Sequence, residues 1–354
     1  MPIFDSNLSR LRPPHCAVLL VAALSIGLGC GGTQSVGDTG PAPFGEEPIA
    51  VASSPREFTL AELRSAVPRA PVFDVEEPPR LPTLESLPNG WLTERYASEV
   101  GELLVYRNGG TAEAPEALVR VPVVVWAHAG VGGVVEETFR SRGSDEHPVM
   151  HFARAGFRVV VPTWRGEHDN PGRYESFYGE VNDLQAAVDY ARQLPGVDPE
   201  YVFLAGHSEG GTLALLASVA GVDVAGVLVV GGAADICPVA MNGGYGYEPY
   251  RLDRSDQCIV RSANVFVSHI QSPTWYAEAA GGVYLDVAQA MDESARAIGV
   301  PFRAVGVTGV DHASAPAVVV PLFAAAIQRA FARQRPFVLV PSRLSNAPDT
   351  DVAP

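Results

Sequence analysis

A serine set between glycines is the residue in this chain whose surroundings most clearly indicate covalent chemistry. Ser208 lies in the segment GHSEGG at 206–211, after a continuous apolar run and before a helix-like run. A strand that turns sharply into a helix forces strained backbone angles on the turn residue, and small neighbours let the two segments approach closely. The hydroxyl group is then exposed at the edge of a sheet. We therefore predict that Ser208 is a nucleophile.

A serine nucleophile needs a base to take its proton, and His312 is the strongest candidate among the eight histidines. It follows the last predicted strand and comes after Ser208 in the chain, as expected for the order nucleophile, acid, histidine. An imidazole titrates near neutrality, so it can accept and return a proton. No two histidines show the helical spacing of a zinc site, so we expect neither a metal nor another cofactor.

Strand-like and helix-like segments alternate from residue 89 onward, which predicts a mostly parallel sheet covered by helices on both faces. The strands are expected at 98–107, 121–127, 157–162, 202–205, 224–230, 273–278 and 302–307. The helices are expected at 147–155, 179–194, 209–220, 285–298 and 315–333. Ser208 and His312 would both lie at the carboxyl ends of strands, the edge where such sheets bind ligands.

Residues 98–330 resemble the α/β-hydrolase fold, specifically its prolyl oligopeptidase and dienelactone hydrolase branch. The motifs are VVVWAHAG at 123–130, TWRGE at 163–167, NPGRYESFYGEVND at 170–183, VDP at 197–199, the Ser208 elbow and GVDH at 309–312. The resemblance implies a hydrolase of esters, amides or peptides and places the catalytic histidine at His312. It does not identify the bond that is cleaved.

The acid that would orient His312 has three candidates, because a glycine stands where most relatives carry an aspartate after the strand that corresponds to 273–278. Glu278, at the end of that strand, resembles the acid of a subgroup with a Phe-Glu-Gly pattern, and we favour it. Asp286 is one alternative, equally explained as the partner of a helix N-terminus. Asp235, after the strand at 224–230, is the other.

An oxyanion hole needs two backbone N–H donors. Glu209, directly after the nucleophile, supplies one through its N–H, and its carboxylate need not take part. The second is expected from the loop after His128, a residue expected to brace that loop. By the His-Gly-x pattern of the family, the donor is Gly130, with Ala129 as the neighbour it could be confused with.

The composition excludes one broad class of partner. The chain has 354 residues, is 47% hydrophobic and 18% charged, and carries a net charge of −15 with no lysine. Nucleic-acid binding needs clustered basic residues, so it is not expected. Without lysine, Schiff-base chemistry is excluded as well. The partners that remain are small esters, amides or short peptides.

The first 29 residues resemble an export signal, with arginines before a short apolar stretch that ends near Cys30. The sequence around Cys30 resembles a bacterial lipoprotein cleavage site, which would make Cys30 the lipidated residue and the only link to a membrane. Residues 30–88 are rich in proline and acid, which predicts an extended tether with one helical turn near 60–66. The protein is expected in the cell envelope, lipid-anchored or otherwise periplasmic or secreted.

The catalytic domain is expected at 89–340, followed by a tail at 341–354. Between the strands at 224–230 and 273–278, residues 235–270 form a segment too long for an ordinary loop, which predicts a small cap over the active site. Cys237 and Cys258 lie in this insert. In an exported protein such a pair favours a disulfide, with two buried free thiols as the alternative.

The motifs together predict an exported serine hydrolase that acts by a Ser-His-acid acyl-enzyme mechanism. One alternative is an exported peptidase of the prolyl oligopeptidase type that acts on short peptides. The other, suggested by the missing aspartate, is a lipoprotein that keeps the hydrolase fold without catalysis.

Overall fold

The computed structural model describes residues 58–67, 76–109, 120–141, 146–242, 247–251 and 254–337. The predicted signal peptide 1–29, Cys30 and the tail 341–354 lie outside the described residues. Within the described part, one eight-stranded sheet organises the chain, with the strand order β1-β2-β4-β3-β5-β6-β7-β8. The strands are β1 Trp91–Ser98, β2 Gly101–Asn108, β3 Val121–Ala127, β4 Arg158–Pro162, β5 Val197–His207, β6 Gly226–Val230, β7 Thr274–Ala279 and β8 Phe302–Val307.

The pairing of the strands divides the sheet into two parts. Strand β2 pairs antiparallel with β1 and with β4, whereas the six strands from β3 to β8 are all parallel to one another. Parallel strands require crossover connections, and these are helices that cover the two faces. The carboxyl ends of β5, β6 and β7 therefore lie side by side at one edge.

Helices cover both faces of the sheet, as the alternating pattern predicts. They are α1 Leu60–Ala66, α2 Pro148–Arg154, α3 Glu180–Arg192, α4 Glu209–Val219, α5 Ile236–Met241, α6 Ser255–Ile259, α7 Leu285–Ile298 and α8 Ala315–Ala332. One core holds α1, α3, α4 and α7, for example through Leu184 and Leu213, and the other holds α2 and α8 through Phe152 and Phe323. Helix α8 is apolar and long enough to cross a membrane, but it packs in this second core, as an internal helix of a globular domain does.

The predicted outer strand at 98–107 is wrong in its extent. The structure has a hairpin in this region, in which Ser98 pairs with Gly101 and Trp91 pairs with Asn108. Gly101 has a φ of 124°, a backbone conformation that side chains disfavour, and it starts the second strand of the hairpin. The turn lacks the Asn-Gly or Asp-Gly signal that marks tight hairpins, so the sequence pattern predicts one strand here and not two.

The segment expected to be a tether belongs in part to the folded domain. Helix α1 buries Leu60, and the Arg64 guanidinium donates to the Tyr178 carbonyl at 2.7 Å. Further on, the N–H of Leu81 donates to the carbonyl of Gly132 at 3.0 Å. Proline prevents regular structure here but does not prevent an extended segment from packing onto a surface. The described residues 58–67 and 76–88 therefore do not act as a free spacer.

The insert between β6 and β7 contains α5, α6 and a 3-10 turn at Ala263–His269. A disulfide joins Cys237 in α5 to Cys258 in α6. Arg261, just after α6, is buried and stacks over the Tyr250 ring at 4.0 Å. The described part of the insert is therefore fixed by a covalent bond and by a buried cation-aromatic contact.

Candidate active site

Ser208 stands at the end of β5 with the strained backbone of a nucleophile elbow. Its φ of 56° and ψ of −122° are unfavourable for a residue with a side chain. Its N–H donates to the carbonyl of Val230 at 2.9 Å. A Cβ atom on Gly206 would lie 2.3 Å from the Gly210 carbonyl oxygen, and one on Gly210 would lie 2.0 Å from that of Ala127. Glycine is thus required on both sides of the turn by close backbone packing.

The imidazole of His312 lies beside this elbow, held by the ends of β6 and β7. His312 is in the loop between β8 and α8, and its ring packs against Gly231. Gly231 follows Val230, whose carbonyl accepts the N–H of Ser208. A Cβ atom on Gly231 would lie 2.5 Å from the ring's Cε1 atom, so a larger residue would displace the ring.

Glu278 holds His312 in a defined orientation. The Oε2 atom of Glu278 accepts a hydrogen bond from His312 Nδ1 at 2.9 Å, and its Oε1 atom accepts one from the N–H of Ala279 at 2.7 Å. The Glu278 side chain is fully buried. Since Nδ1 carries the proton and donates it in the hydrogen bond to the carboxylate, the other ring nitrogen, Nε2, is left as an acceptor. The bond to Glu278 raises the pKa of His312 above its usual value, with partial burial opposing.

The two alternative acids do not meet His312. Asp286 is exposed in the first turn of α7, where a carboxylate stabilises the helix N-terminus. Asp235 caps α5 by accepting the N–H of Cys237 at 2.9 Å, and it also accepts the hydroxyl of Ser262. Of the three candidates, Glu278 is the one that bonds to the imidazole, because β7 ends next to the histidine loop.

His207, next to Ser208, fixes the loop that carries His312. Its Nε2 atom donates to the backbone carbonyl of His312 at 2.9 Å, and the two ring centroids are 4.8 Å apart. Burial lowers the pKa of His207 to about 4, and the neighbouring His312 adds to the effect. His207 is therefore neutral at physiological pH and does not compete with the charge that His312 would gain.

The loop after β3 contains an unexpected contact with the start of α4. The N–H of Gly130, our expected second oxyanion donor, donates to Oε2 of Glu209 at 2.5 Å. The N–H of Glu209 itself lies in the first turn of α4, where helical N–H groups have no intrahelical acceptor. The sequence predicts a role for this N–H and requires none of the Glu209 carboxylate. The carboxylate instead occupies the other donor.

His128 fixes the same loop through two hydrogen bonds and a ring contact. Its Nε2 atom lies 3.0 Å from Oε2 of Glu167, its Nδ1 atom lies 3.2 Å from the carbonyl of Ala129, and its ring stacks on Trp164. Burial, the largest single effect, lowers its pKa, but the Glu167 carboxylate, the Ala129 carbonyl and the charge of Glu209 together raise the pKa of His128 overall. With an acceptor at each nitrogen, the imidazolium form makes two hydrogen bonds and fixes the loop.

A narrow pocket lies between the loop after β3, the start of α4 and the segment after β4. Its walls include Trp164, Phe177 and Leu213, and the carboxylates of Glu180 and Glu209 line it. The motif at 170–183 contributes to the walls of this pocket, but the sequence predicts no role for any single residue of the motif. Neither carboxylate stands out in the sequence, since each lies at the start of a helix, where acidic residues are common.

Comparison with solved structures identifies the fold. The chain is similar to an acylaminoacyl peptidase from Pyrococcus horikoshii, with a TM-score of 0.55, 14% identity and coverage of 72% of this chain and 44% of that one. It is similar to the esterase Pf2001 from Pyrococcus furiosus, with a TM-score of 0.54, 15% identity and coverage of 73% and 99%. A puromycin-hydrolysing peptidase from Mycobacterium tuberculosis gives a TM-score of 0.55, 20% identity and coverage of 70% and 41%.

These similarities confirm the expected α/β-hydrolase fold. The chain spans less than half the length of the two peptidases, but the matched region covers nearly all of the Pf2001 esterase. No family model and no curated protein sequence matches the chain.

Proposed function

We propose that this α/β-hydrolase-fold protein is a serine hydrolase that cleaves an ester or amide bond of a small substrate. The observation that carries the proposal is the chain of contacts at the carboxyl ends of β5, β6 and β7. Ser208 has an elbow conformation, His312 lies beside it, and the buried carboxylate of Glu278 accepts from Nδ1 of His312 at 2.9 Å. A nucleophile, a base and a group that orients the base are the three parts that this chemistry needs.

The first half of the reaction forms an acyl-enzyme. Ser208 Oγ attacks the carbonyl carbon while Nε2 of His312 takes its proton, and Glu278 stabilises the imidazolium that forms. The imidazolium then gives the proton to the leaving alcohol or amine. In the second half, His312 takes a proton from water, the hydroxide attacks the acyl group, and Ser208 Oγ leaves with a proton returned by His312.

Charge on the carbonyl oxygen in both halves is stabilised by the N–H groups of Glu209 and Gly130. Each such donor contributes about 3 kcal/mol to the transition state in comparable enzymes. The Glu209 carboxylate must leave the Gly130 N–H for this to happen, because a carboxylate at that donor would repel the developing oxyanion.

Labelling with a fluorophosphonate tests the proposal, because the reagent reacts with an activated serine. We expect the parent protein to be labelled at Ser208, and Ser208→Ala to lose both labelling and turnover of p-nitrophenyl butyrate while keeping its thermal unfolding temperature. Ser294→Ala, which removes an exposed hydroxyl on α7, is the matched control and should retain both. A parent protein that is not labelled would favour a non-catalytic protein with this fold.

We also propose that the protein is exported to the cell envelope, with Cys30 as its lipid anchor. The apolar stretch before Cys30 supports this, and the disulfide between Cys237 and Cys258 is consistent with an oxidising compartment. Metabolic labelling with a fatty acid tests it: Cys30→Ser should abolish the incorporation of lipid and release the protein from the membrane fraction. Unchanged incorporation would refute the anchor.

A further inference from the structure

We propose that the pocket beside the nucleophile binds the free α-ammonium group of an aminoacyl substrate between the carboxylates of Glu180 and Glu209. This inference rests on the proposed function and names the acyl group that the hydrolase accepts.

The first observation is a buried carboxylate oxygen that lacks a partner. Glu180 is only 2% exposed, and its Oε1 atom accepts the N–H of Glu175 at 2.6 Å. Its Oε2 atom has no hydrogen-bond partner among the described residues. Since buried polar atoms are almost always paired, such an atom at the wall of a pocket indicates a donor supplied by a ligand. Burial raises the pKa of Glu180 to about 7, and an adjacent cation would restore its full ionisation.

The second observation concerns the charge of the pocket. Glu180 and Glu209 both line it, and neither forms an ion pair with a cation in the part of the chain that the structure describes. The third carboxylate at the pocket, that of Glu167, is already bonded to His128. The imidazolium of His128, which also lines the pocket, balances the charge of Glu167. Glu180 and Glu209 therefore leave the pocket with an excess of negative charge, which favours a positive ligand.

The size of the space selects the kind of cation. The cavity volume is about 20 Å³, enough for one group of the size of a water molecule. An ammonium group fits this space. Trp164, Phe177 and Leu213 contribute apolar walls, and Glu180 and Glu209 contribute carboxylates that can accept from the ammonium group, beside the polar side chains of Tyr174, His128 and Glu167.

The position of the pocket assigns it to the acyl part of the substrate. The pocket lies on the side of β3 and β4, whereas His312 and Glu278 lie on the side of β6 and β7. The leaving group must face His312 to receive its proton. The acyl part, on the other side of the carbonyl carbon, therefore points toward the pocket. The carbonyl oxygen would lie at the Gly130 N–H. The α-ammonium group is attached to the carbon next to the carbonyl carbon, so it would lie close to the same N–H.

The wall of the pocket is held rigidly, as expected for a specificity site. Ser176 and Phe177 both have positive φ, of 51° and 66°, a conformation that costs energy at residues with side chains. Arg64 donates to the Phe177 carbonyl at 2.8 Å, and Arg261 donates to the Ser176 carbonyl at 2.8 Å. The two guanidinium groups thus fix the strained backbone through its carbonyls, and neither forms a direct ion pair with Glu180 or Glu209.

The same ammonium group would open the oxyanion hole. The Glu209 carboxylate now accepts the Gly130 N–H, and a substrate cation between Glu209 and Glu180 offers it a stronger, charged partner. Binding of the correct acyl group would therefore release the donor that the carbonyl oxygen needs. A substrate without the ammonium group would leave the donor occupied, which is a form of induced specificity.

A comparison of matched substrates tests the proposal. Alanine p-nitroanilide and isobutyryl p-nitroanilide have the same shape and differ by an ammonium in place of a methyl group. We expect the parent protein to have the higher kcat/KM for the alanine substrate. The ratio of the two kcat/KM values should fall at least tenfold in both Glu180→Gln and Glu209→Gln, the usual effect of losing a charged hydrogen-bond partner. Forming this ratio for each protein cancels the intrinsic difference in reactivity.

Glu200→Gln is the matched control, because Glu200 is exposed near the start of β5, at the opposite edge of the sheet. Its ratio should match the parent within twofold, and thermal unfolding checks that every variant is folded. Nα-acetyl-lysine p-nitroanilide carries only a side-chain ammonium group, so its preferential cleavage would overturn the proposal in favour of a basic side chain. A ratio unaffected by either Gln variant, in a protein that fluorophosphonate still labels, would overturn the inference and leave the hydrolase function standing.

Discussion

Replacing Glu278 with glutamine should nearly abolish catalysis while leaving the active site assembled. In the parent protein, Oε1 of Glu278 accepts the N–H of Ala279 at 2.7 Å and Oε2 accepts Nδ1 of His312 at 2.9 Å. A glutamine that keeps its oxygen toward Ala279 presents its NH₂ group to His312. The imidazole would then accept at Nδ1 and carry its proton on Nε2, the nitrogen that must receive the proton of Ser208.

The opposite orientation of the glutamine restores the tautomer but directs its NH₂ group at the Ala279 N–H. This loses a buried hydrogen bond and leaves two donors facing each other, at a cost of about 1–3 kcal/mol. The productive form is therefore reduced about 10- to 100-fold. The loss of the negative charge that stabilises the imidazolium lowers the rate further, and the corresponding Asp→Asn change in the triad of a serine protease costs about 10⁴ in kcat. We expect a fall in kcat of about 10³- to 10⁴-fold.

The assay is the pH dependence of kcat/KM for a p-nitrophenyl ester, with thermal unfolding as a check on folding. The hydrogen bond to Glu278 raises the pKa of His312, and activity needs the neutral imidazole. The acidic limb of the kcat/KM profile should therefore move to lower pH in Glu278→Gln, measured on the residual activity of the variant. Asp286→Asn, which alters an exposed carboxylate at the start of α7, should stay within twofold of the parent. A large loss in Asp286→Asn with little in Glu278→Gln would refute the reasoning.

Two further predictions concern stability. The pKa of Glu180 rises from 4.5 to about 7 on folding, so the folded state binds this proton more tightly. This pKa difference stabilises the folded state by about 3 kcal/mol below pH 4.5, and the stabilisation is lost as the pH rises through 7. Glu180→Gln should flatten the pH dependence of the free energy of unfolding between pH 5 and pH 8, measured by urea unfolding. Identical slopes in parent and variant would contradict the prediction. The disulfide Cys237–Cys258 closes a loop with a sequence separation of 21 residues, worth about 3 kcal/mol. Reductant should lower the thermal unfolding temperature of the parent but not that of a Cys237→Ser, Cys258→Ser double variant, and an equal response of both proteins would mean that the bridge contributes nothing.

The sequence was sufficient for the features that depend on local order along the chain. The apolar run, the glycines and the helical run around Ser208 predict the elbow, because the steric demands of a sharp strand-to-helix turn involve neighbouring residues. The alternation of strands and helices predicts the parallel sheet and its two covering layers in the same way. The hairpin at 91–108 was missed because its turn residues do not have the usual signal.

The same limit applies to the N-terminal segment. Its proline content correctly indicates little regular structure, but composition does not show whether an extended segment packs against a domain. Helix α1 and residues 76–88 join the fold through contacts such as that of Arg64 with Tyr178, 114 residues away in the chain. Such contacts leave no periodic signal in the sequence.

The tertiary structure alone decides which groups meet at the site. Three carboxylates were consistent with the sequence, and the positions of β7 and the histidine loop bring Glu278 to His312, 34 residues further along the chain. The contact of Glu209 with Gly130 spans 79 residues and depends on how closely β3 and β5 end together. A hydrogen bond requires atoms within about 3 Å of each other. The sequence thus determined the types of chemical group available to this protein, whereas the register of the parallel strands and the paths of their loops determined which of them are close enough to act together.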